Sequence, residues 1–254
     1  MKVYQLEITN ICNLKCSFCS MKHEWTKREN GFMDIRLIDL IDWRDTDYVE
    51  LQLLGEPTLH SQIDDIITKL VYEKGVRVGF SSNLANVDII KKVSHKCKMI
   101  TINDYAKKGV DKELLSLKGV RLQDVGGDFP VEDYTHTQKY GIQFLCKIPY
   151  DYVSIQWDGD VVPCPRAHGK QVVYGNLYKQ TWREIIEGEN IKKIKEDLLK
   201  GKDNGLCEYC WAPNCHACRF LFFEQVYGEH DVFLDTAEYK YWKSQIDKKL
   251  EEEC

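Results

Sequence analysis

The sequence lacks any long hydrophobic run and shows no sign of a membrane protein. No uninterrupted apolar stretch approaches the roughly 18–20 residues that a transmembrane helix needs. The first ten residues, MKVYQLEITN, enter a strand pattern at once and have no apolar core of a signal peptide. Internal repeats and low-complexity linkers are missing too. We therefore expect a cytoplasmic protein without a membrane partner.

The sequence also lacks an excess of positive charge. Its 35 Lys and Arg residues are outnumbered by 40 Asp and Glu residues, which gives a net charge of −5. A nucleic-acid-binding surface is normally basic, and even the Lys-rich stretch 192–202 has acidic residues interspersed. No nucleic-acid partner is expected. The hydrophobic fraction of 43% is that of an ordinary globule that can bury a core.

Cysteine, in contrast, is abundant and unevenly placed. Eleven cysteines in a chain without a secretory signal are not expected to form a disulfide framework, because the cytosol keeps thiols reduced. Three of them fall within residues 12–19 and four within residues 207–218. Metal ligation explains such clustering better than packing does.

Strand and helix signals alternate over the first 125 residues. Short apolar runs bounded by turn or polar residues predict five strands, at 3–9, 48–54, 76–81, 99–103 and 120–125. Apolar residues at helical spacing predict helices at 33–43, 61–74, 87–95 and 111–117. Gly75 is a predicted C-cap. Repeated β-α units imply a parallel sheet, open or curled into a barrel, whose chemistry gathers at the C-terminal ends of the strands.

The pattern changes after residue 126. A polar stretch to residue 140 predicts a loop, and residues 153–162 predict a β-hairpin with Asp158-Gly159 at its tight turn. Thr181 and Glu184 predict a capping box at the start of a helix that breaks near Gly188 and then resumes.

The first cysteine group directly follows the first predicted strand, at the mouth of a barrel. Cys12, Cys16 and Cys19 offer three thiolates at Cys-x3-Cys-x2-Cys spacing, which suits iron. Three protein ligands to a four-iron cube leave one iron open, as a catalytic metal requires. A zinc knuckle is the alternative, with His23 available as a fourth ligand.

This cysteine loop resembles that of the radical S-adenosylmethionine superfamily. The resemblance implies that a [4Fe-4S] cluster binds S-adenosylmethionine through its open iron and that Phe18 packs near the adenine. The segment Leu54-Gly55-Glu56-Pro57, at the end of the second strand, is similar to the family's Gly-Gly-Glu-Pro segment, with Leu54 replacing the first glycine. By resemblance, Gly55, Glu56 and Pro57 belong to the cofactor site, where Glu56 and nearby carbonyls accept hydrogen bonds from the cofactor's ammonium.

Polar residues also end the third and fourth strands. Ser82, Asn83 and Asn103 occupy positions that contact the cofactor's ribose or carboxylate in relatives, although such residues are common turn formers as well. Arg121 on the fifth strand is a further candidate.

The second cysteine group resembles the SPASM/twitch extension of the same superfamily, which binds auxiliary iron–sulfur clusters. Its predicted ligands are Cys146, Cys164, Cys207, Cys210, Cys215 and Cys218. The resemblance implies an α/β fold with a partial (β/α)6 TIM-like barrel at 1–140. A small cysteine-rich domain, a β-hairpin plus helices, follows at 141–254.

The spacing departs from the full SPASM pattern. The four cysteines at 207–218 are separated by two, four and two residues, where the extension has two, five and three. The shorter twitch form assigns Cys146, Cys164, Cys207 and Cys210 to one auxiliary [4Fe-4S] cluster. Cys215 and Cys218 are then spare or belong to a second auxiliary cluster. Cys254 could add a ligand only if the tail folds back. A zinc ribbon formed by the four cysteines at 207–218 alone is the alternative.

The resemblance implies an oxidoreductase. It would cleave S-adenosylmethionine reductively to a 5′-deoxyadenosyl radical, abstract a substrate hydrogen and pass an electron to an auxiliary cluster. Flavodoxin or ferredoxin is the expected reductant. Arg166, His168 and Asp124 lie near motif ends, but the sequence selects none of them as the catalytic base, which stays unknown.

Two kinds of substrate remain open, and a sugar, cyclitol or nucleotide is favoured over a peptide. Peptide maturases of the superfamily usually carry an N-terminal recognition domain, whereas the first strand begins at Val3. An alternative from another class is an iron–sulfur electron carrier without radical chemistry, which the Gly55-Glu56-Pro57 segment speaks against.

Overall fold

The computed structural model of the protein describes residues 1–123, except 18, 23 and 108, and residues 151–199, except 165, 166 and 171. The described residues up to 193 belong to one compact unit. Within these ranges, no helix has the length and apolar character needed to cross a bilayer.

The described residues contribute eight strands to one sheet. The strands are β1 (Lys2–Leu6), β2 (Tyr48–Glu50), β3 (Arg77–Ser82), β4 (Met99–Ile102), β5 (Val120–Leu122), β6 (Tyr152–Ile155), β7 (Asp160–Val162) and β8 (Gly175–Asn176). Their order across the sheet is β5-β4-β3-β2-β1-β6-β7-β8. Strands β1 to β6 are mutually parallel, and the β6–β7 and β7–β8 pairs are antiparallel. This is the α/β architecture of a partial TIM-like barrel.

Helices connect the strands. The α-helices are α1 (Ile63–Thr68, continued by a π-helical turn at Lys69–Glu73), α2 (Val87–Val93), α3 (Lys112–Leu115), α4 (Trp182–Ile186) and α5 (Glu189–Leu199). Short 3₁₀ helices lie at Ser20–Lys22, Glu24–Thr26, Ile35–Leu40, Pro57–Leu59 and Ser94–Lys96.

The predicted strands are confirmed, although each has different bounds from those expected. The helix predicted at 33–43 is instead the six-residue 3₁₀ helix Ile35–Leu40. Its backbone bonds to a carbonyl three residues back, and a side chain takes up another of its carbonyls. The Leu37 amide donates to the Asp34 carbonyl, three residues back, at 2.9 Å. The Trp43 indole donates to the Ile38 carbonyl at 2.8 Å. Gly75 ends its helix in the left-handed region, with φ of +71°, as predicted.

The core lies on one face of the sheet. Successive side chains of a strand point to opposite faces, so Val78 and Phe80 of β3 share the face that is buried. The aliphatic stripes of α1 and α2 are fully buried as well, and they form the helical layer that covers this face. The opposite face is polar and carries Glu50 of β2, Thr101 of β4 and Arg121 of β5.

The hairpin predicted at 153–162 is confirmed as β6 and β7, and Gly159 adopts a φ of +86° at its turn. Strand β6 pairs with β1, with Val3 opposite Val153, so the hairpin extends the sheet beyond its first strand. The domain boundary expected at residue 140 lies outside the described residues and stays a prediction. The capping box of Thr181 and Glu184 is confirmed at the start of α4.

Parallel strands bring their carboxyl ends to one edge of the sheet, and this geometry positions the site. The segment after β1 carries Cys12, the segment after β2 carries Glu56, and Asn83 and Asn103 directly follow β3 and β4. All four residues therefore meet at the carboxyl edge.

Candidate cofactor and iron–sulfur site

The loop after β1 holds the first three cysteines partly exposed to solvent. The Cys19 amide donates to the Cys16 carbonyl at 3.1 Å, which folds the second half of the loop into a turn. The Leu14 amide donates to Cys12 Sγ at 3.4 Å. Phe18, predicted to pack near an adenine, lies outside the described residues.

Two of the three thiols, Cys12 and Cys16, lie in a setting that disfavours isolated thiolates. Burial raises the pKa of Cys12, and the charges of Glu56 and Cys19 raise it further, while the Leu14 amide lowers it. Burial also raises the pKa of Cys16, with added contributions from Cys19 and Cys12. Positive iron would relieve this repulsion, so the donor set fits an iron–sulfur cluster bound by thiolates.

The zinc alternative for this loop finds no support in the part of the chain that the structure describes. There, no three His, Cys, Asp or Glu side chains converge closely enough to hold a single ion. His23, the proposed fourth zinc ligand, lies outside the described residues. Ligands of a multi-iron cluster bond to different irons and are therefore spaced more widely than those of one tetrahedral ion.

The segment after β2 docks onto the cysteine loop through Gly55. Its φ is +77°, and a Cβ at this position would lie 2.4 Å from the Thr9 carbonyl oxygen. The Glu56 amide donates to the Ile11 carbonyl at 2.8 Å. Only glycine allows this close approach, which brings Glu56 next to the residue that precedes Cys12.

The Glu56 carboxylate is only 2% exposed and is surrounded by donors. Oε1 accepts from the Thr58 amide at 3.1 Å, the Thr58 hydroxyl at 2.6 Å and the Ser82 hydroxyl at 2.8 Å. Oε2 accepts from the Asn83 amide at 2.7 Å. Glu56 thus caps the 3₁₀ helix that begins at Pro57 and fixes the end of β3. A bond from its side chain to a cofactor's ammonium stays a prediction.

Two asparagines present buried acceptors at the same edge. Asn83 Nδ2 donates to Cys12 Sγ at 3.4 Å and to Asn13 Oδ1 at 3.0 Å. Neither Asn83 Oδ1 nor Asn103 Oδ1 has a hydrogen-bond partner among the described residues, although both are buried. Buried acceptors without donors are costly. An ammonium or hydroxyl group of a bound ligand would satisfy them.

Tyr105 is a further residue of this edge that the sequence did not single out. Burial raises the pKa of its hydroxyl, and the charges of Cys16 and Cys19 raise it further, so the ring lies near these thiols. The sequence feature that could have identified Tyr105 is its position two residues after Asn103, just beyond the end of β4.

The remaining predicted residues separate into two groups. Cys164, which follows β7, is buried, and its carbonyl accepts from the Ala167 amide at 3.1 Å. Arg121 Nε donates to the Thr101 hydroxyl at 3.0 Å on the polar face of the sheet. Several calls lie outside the described residues: Cys146, Cys207, Cys210, Cys215, Cys218, Cys254, Asp124 and Arg166.

Comparison with known proteins finds a similar domain in the segment that holds most of the C-terminal cysteines. A family model described as SPASM, an iron–sulfur cluster-binding domain, matches residues 146–218. A curated protein of Pyrococcus furiosus, the tungsten-containing aldehyde ferredoxin oxidoreductase cofactor-modifying protein, is 36% identical over 89 residues. The match covers 33% of this chain and 24% of that protein, so the chain aligns with about a quarter of its relative.

The fold is shared with BtrN. The structure of BtrN in complex with AdoMet and 2-DOIA superposes with a TM-score of 0.62 at 16% identity, covering 84% of this chain and 95% of that chain. Its open conformation gives a TM-score of 0.59 at 17% identity, with 82% and 91% covered. The chain thus shares the fold of BtrN, and its residues 146–218 match the SPASM iron–sulfur cluster-binding domain.

Proposed function

We propose that the protein is a radical S-adenosylmethionine oxidoreductase that oxidises a polar small molecule, such as a sugar, cyclitol or nucleotide. The observation that carries the proposal is the convergence of Cys12, Asn83 and Asn103 at one edge of the sheet, with two unsatisfied acceptors beside the cysteine loop. This edge offers both a cluster-binding loop and groups that suit an amino acid or ribose.

When bound, the cluster and S-adenosylmethionine would supply radical chemistry for abstraction of a substrate hydrogen, and an auxiliary cluster would supply an electron acceptor. The chain's own residues bind and orient these groups. Cys12, Cys16 and Cys19 would hold three irons and leave the fourth open. Asn83 would steady the Cys12 sulfur through its amide, and its free oxygen, with that of Asn103, would accept hydrogen bonds from the cofactor.

The polar face of the sheet supports a hydrophilic substrate. The Tyr48 hydroxyl donates to Glu50. Burial raises the pKa of both groups, and the charge of Arg121 opposes that rise. A Cβ at Gly79 would lie 2.0 Å from the Tyr48 hydroxyl, so this glycine leaves the space that the ring occupies. Hydroxyl, carboxylate and guanidinium groups recognise hydroxyls and amines better than apolar surface.

Among the described residues, no side chain stands out as the catalytic base. Burial raises the pKa of Glu50, but this residue lies opposite Gly79, near the amino ends of the strands, and not at the carboxyl edge that carries the cysteine loop. Of the sequence candidates, His168 is 4% exposed and bonded within the protein, while Asp124 and Arg166 lie outside the described residues.

The small-molecule assignment also draws on the comparisons. BtrN, the structure with AdoMet and 2-DOIA, shares the fold over 95% of its chain. The partial relative from Pyrococcus furiosus is named as a cofactor-modifying protein. The first is in complex with 2-DOIA and the second is named for a cofactor, and neither name mentions a peptide.

The test is a substrate panel. Reconstituted, reduced enzyme is incubated with S-adenosylmethionine and with deuterated cyclitols, aminosugars or nucleotides. Transfer of deuterium into 5′-deoxyadenosine together with a product lighter by two hydrogens supports the proposal. Cys16→Ala should lose both deuterium transfer and product, whereas the exposed control Glu113→Gln should keep both. Oxidation of peptides only, with no small molecule turned over, would reject it.

A further inference from the structure

A buried ion pair lies between the cysteine loop and the hairpin. Glu7, directly after β1, is fully buried and pairs with Arg28, whose side chain is 3% exposed. Glu7 Oε1 also accepts from the Leu54 amide at 3.2 Å, and Oε2 accepts from the Trp157 amide at 3.2 Å. One carboxylate therefore ties together the segments that follow β1, β2 and β6.

The loop after Cys164 is held by three hydrogen bonds to three successive carbonyls. Gln156, fully buried at the end of β6, donates through Nε2 to the carbonyls of Ala167 at 2.8 Å and Gly169 at 3.0 Å. Arg28 Nε donates to the carbonyl between them, that of His168, at 2.6 Å. These bonds restrain the backbone on both sides of His168.

The ring of His168 meets the residue next to Cys19. His168 Nδ1 and Ser20 Oγ share a hydrogen bond of 2.9 Å between two buried side chains. The Ser20 carbonyl in turn accepts from the Thr26 hydroxyl at 2.8 Å. Ser20 is covalently joined to Cys19, and Cys164 lies four residues before His168 with its carbonyl bonded to Ala167.

We infer that His168 is a positioning residue that locks the loop of Cys19 to the loop of Cys164 through Ser20. The inference rests on the proposed function, in which Cys19 binds the first cluster and Cys164 an auxiliary cluster. Electron transfer between two centres depends on their separation, and this hydrogen bond would keep that separation constant. A buried network of this kind restricts the arrangement of its members, although Arg28 Nη1 and Gln156 Oε1 have no hydrogen-bond partner among the described residues.

The arrangement is specific to this pair of loops. Ser20 and His168 are 148 residues apart in the sequence, yet their hydrogen bond is buried. Removal of either side chain leaves the other without its buried partner, but β1 stays paired with β2 and β6, so the contact should be released without unfolding the sheet.

The experiment uses the full chain with its clusters reconstituted and reduced. Pulsed EPR measures the dipolar coupling between the two reduced clusters in wild type, Ser20→Ala, His168→Leu and His168→Asn. Hydrogen exchange measures protection of the amides at 19–22 and 167–169. The exposed histidine variant His95→Leu is the matched control.

We expect a narrow coupling distribution in wild type and in His95→Leu. Ser20→Ala and His168→Leu should broaden it with unchanged iron content and raise amide exchange in both loops. His168→Asn, whose amide can replace Nδ1, should restore the narrow distribution. If His168→Leu fails to fold, Ser20→Ala decides alone. An unchanged coupling and exchange in the variants would overturn the inference.

Failure of the proposed function looks different from failure of this inference. A wild type that assembles no second cluster or releases no 5′-deoxyadenosine rejects the proposed function. The exchange data on the cluster-free chain then still report whether Ser20 and His168 hold the two loops together. Equal exchange in Ser20→Ala and wild type would reject the inference in that case too.

Discussion

The side-chain amide of Asn83 donates to the Cys12 sulfur across a distance of 3.4 Å. This bond joins the end of the third strand to the loop after the first. The Asn83 backbone amide is itself bonded to Glu56 at 2.7 Å, so the second strand's loop holds the asparagine in place. Three successive β-α units therefore meet in one hydrogen-bonded group, beside the proposed cluster.

Asn83→Ala should weaken the binding of S-adenosylmethionine. The variant loses the bond to Cys12 and the free acceptor Oδ1, and one such bond contributes about 1–1.5 kcal/mol, or roughly tenfold in Kd. Isothermal titration of the reconstituted protein measures the change. Asn190→Ala, which removes only a bond to the Tyr174 carbonyl, is the control. Equal affinity of the two variants would contradict the assigned role.

Gly55→Ala should destabilise the chain more than Gly75→Ala. Both glycines have positive φ, +77° and +71°, so alanine costs about 1–2 kcal/mol at either position. A Cβ meets nothing within 4 Å at Gly75 but lies 2.4 Å from the Thr9 carbonyl oxygen at Gly55. The overpacking adds roughly 1–3 kcal/mol. Urea unfolding of the cluster-free protein gives both values, and equal losses would show that the close approach is absent.

Arg28→Met should destabilise the protein by about 3–5 kcal/mol near neutral pH, because it leaves the buried Glu7 charge unpaired. Burial raises the pKa of Glu7, and Arg28 opposes that rise. Without Arg28 the pKa rises further. As pH increases, Glu7 therefore ionises in the unfolded chain before it ionises in the folded chain. The stability of the variant falls between these two pKa values.

The loss in Arg28→Met should therefore be larger at about pH 8 than at about pH 5, where Glu7 is increasingly protonated. Thermal unfolding at both pH values measures the difference. Arg36→Met removes the exposed partner of Asp34 and should leave the melting temperature nearly unchanged at either pH. A pH-independent loss in Arg28→Met would argue against an ionised Glu7.

Cys164→Ala should remove an auxiliary cluster and spare the first one. With one auxiliary cluster, iron content should fall from about eight to about four atoms per chain, since each [4Fe-4S] cluster holds four. With two, it should fall from about twelve to about eight. Cleavage of S-adenosylmethionine should persist. Full iron content in this variant would remove Cys164 from the ligand set.

Local patterns were sufficient to predict much of this architecture. The strands, the capping box of Thr181 and the turn at Gly159 follow from hydrophobic runs and local hydrogen-bonding chemistry. The position of Cys12 and Asn83 at one edge follows from the rule that parallel strands align their carboxyl ends. These features depend on neighbours in the sequence or on a general rule of topology.

Other features depend on contacts between distant segments. The pairing of β6 with β1 joins residues about 150 positions apart, and no local pattern specifies which edge a hairpin extends. Likewise Glu56 appears in the sequence as a free acceptor, but folding supplies donors from Thr58, Ser82 and Asn83. The bond between Ser20 and His168 is of the same kind.

The central claim is that Cys12, Cys16 and Cys19 hold a cluster that cleaves S-adenosylmethionine. Its most direct test is the release of 5′-deoxyadenosine by the anaerobically reconstituted, reduced protein. Wild type and Cys97→Ala should release it, because Cys97 is a buried thiol whose pKa is raised to about 12. Cys16→Ala should release none. No release by wild type, or equal release by Cys16→Ala, would contradict the account.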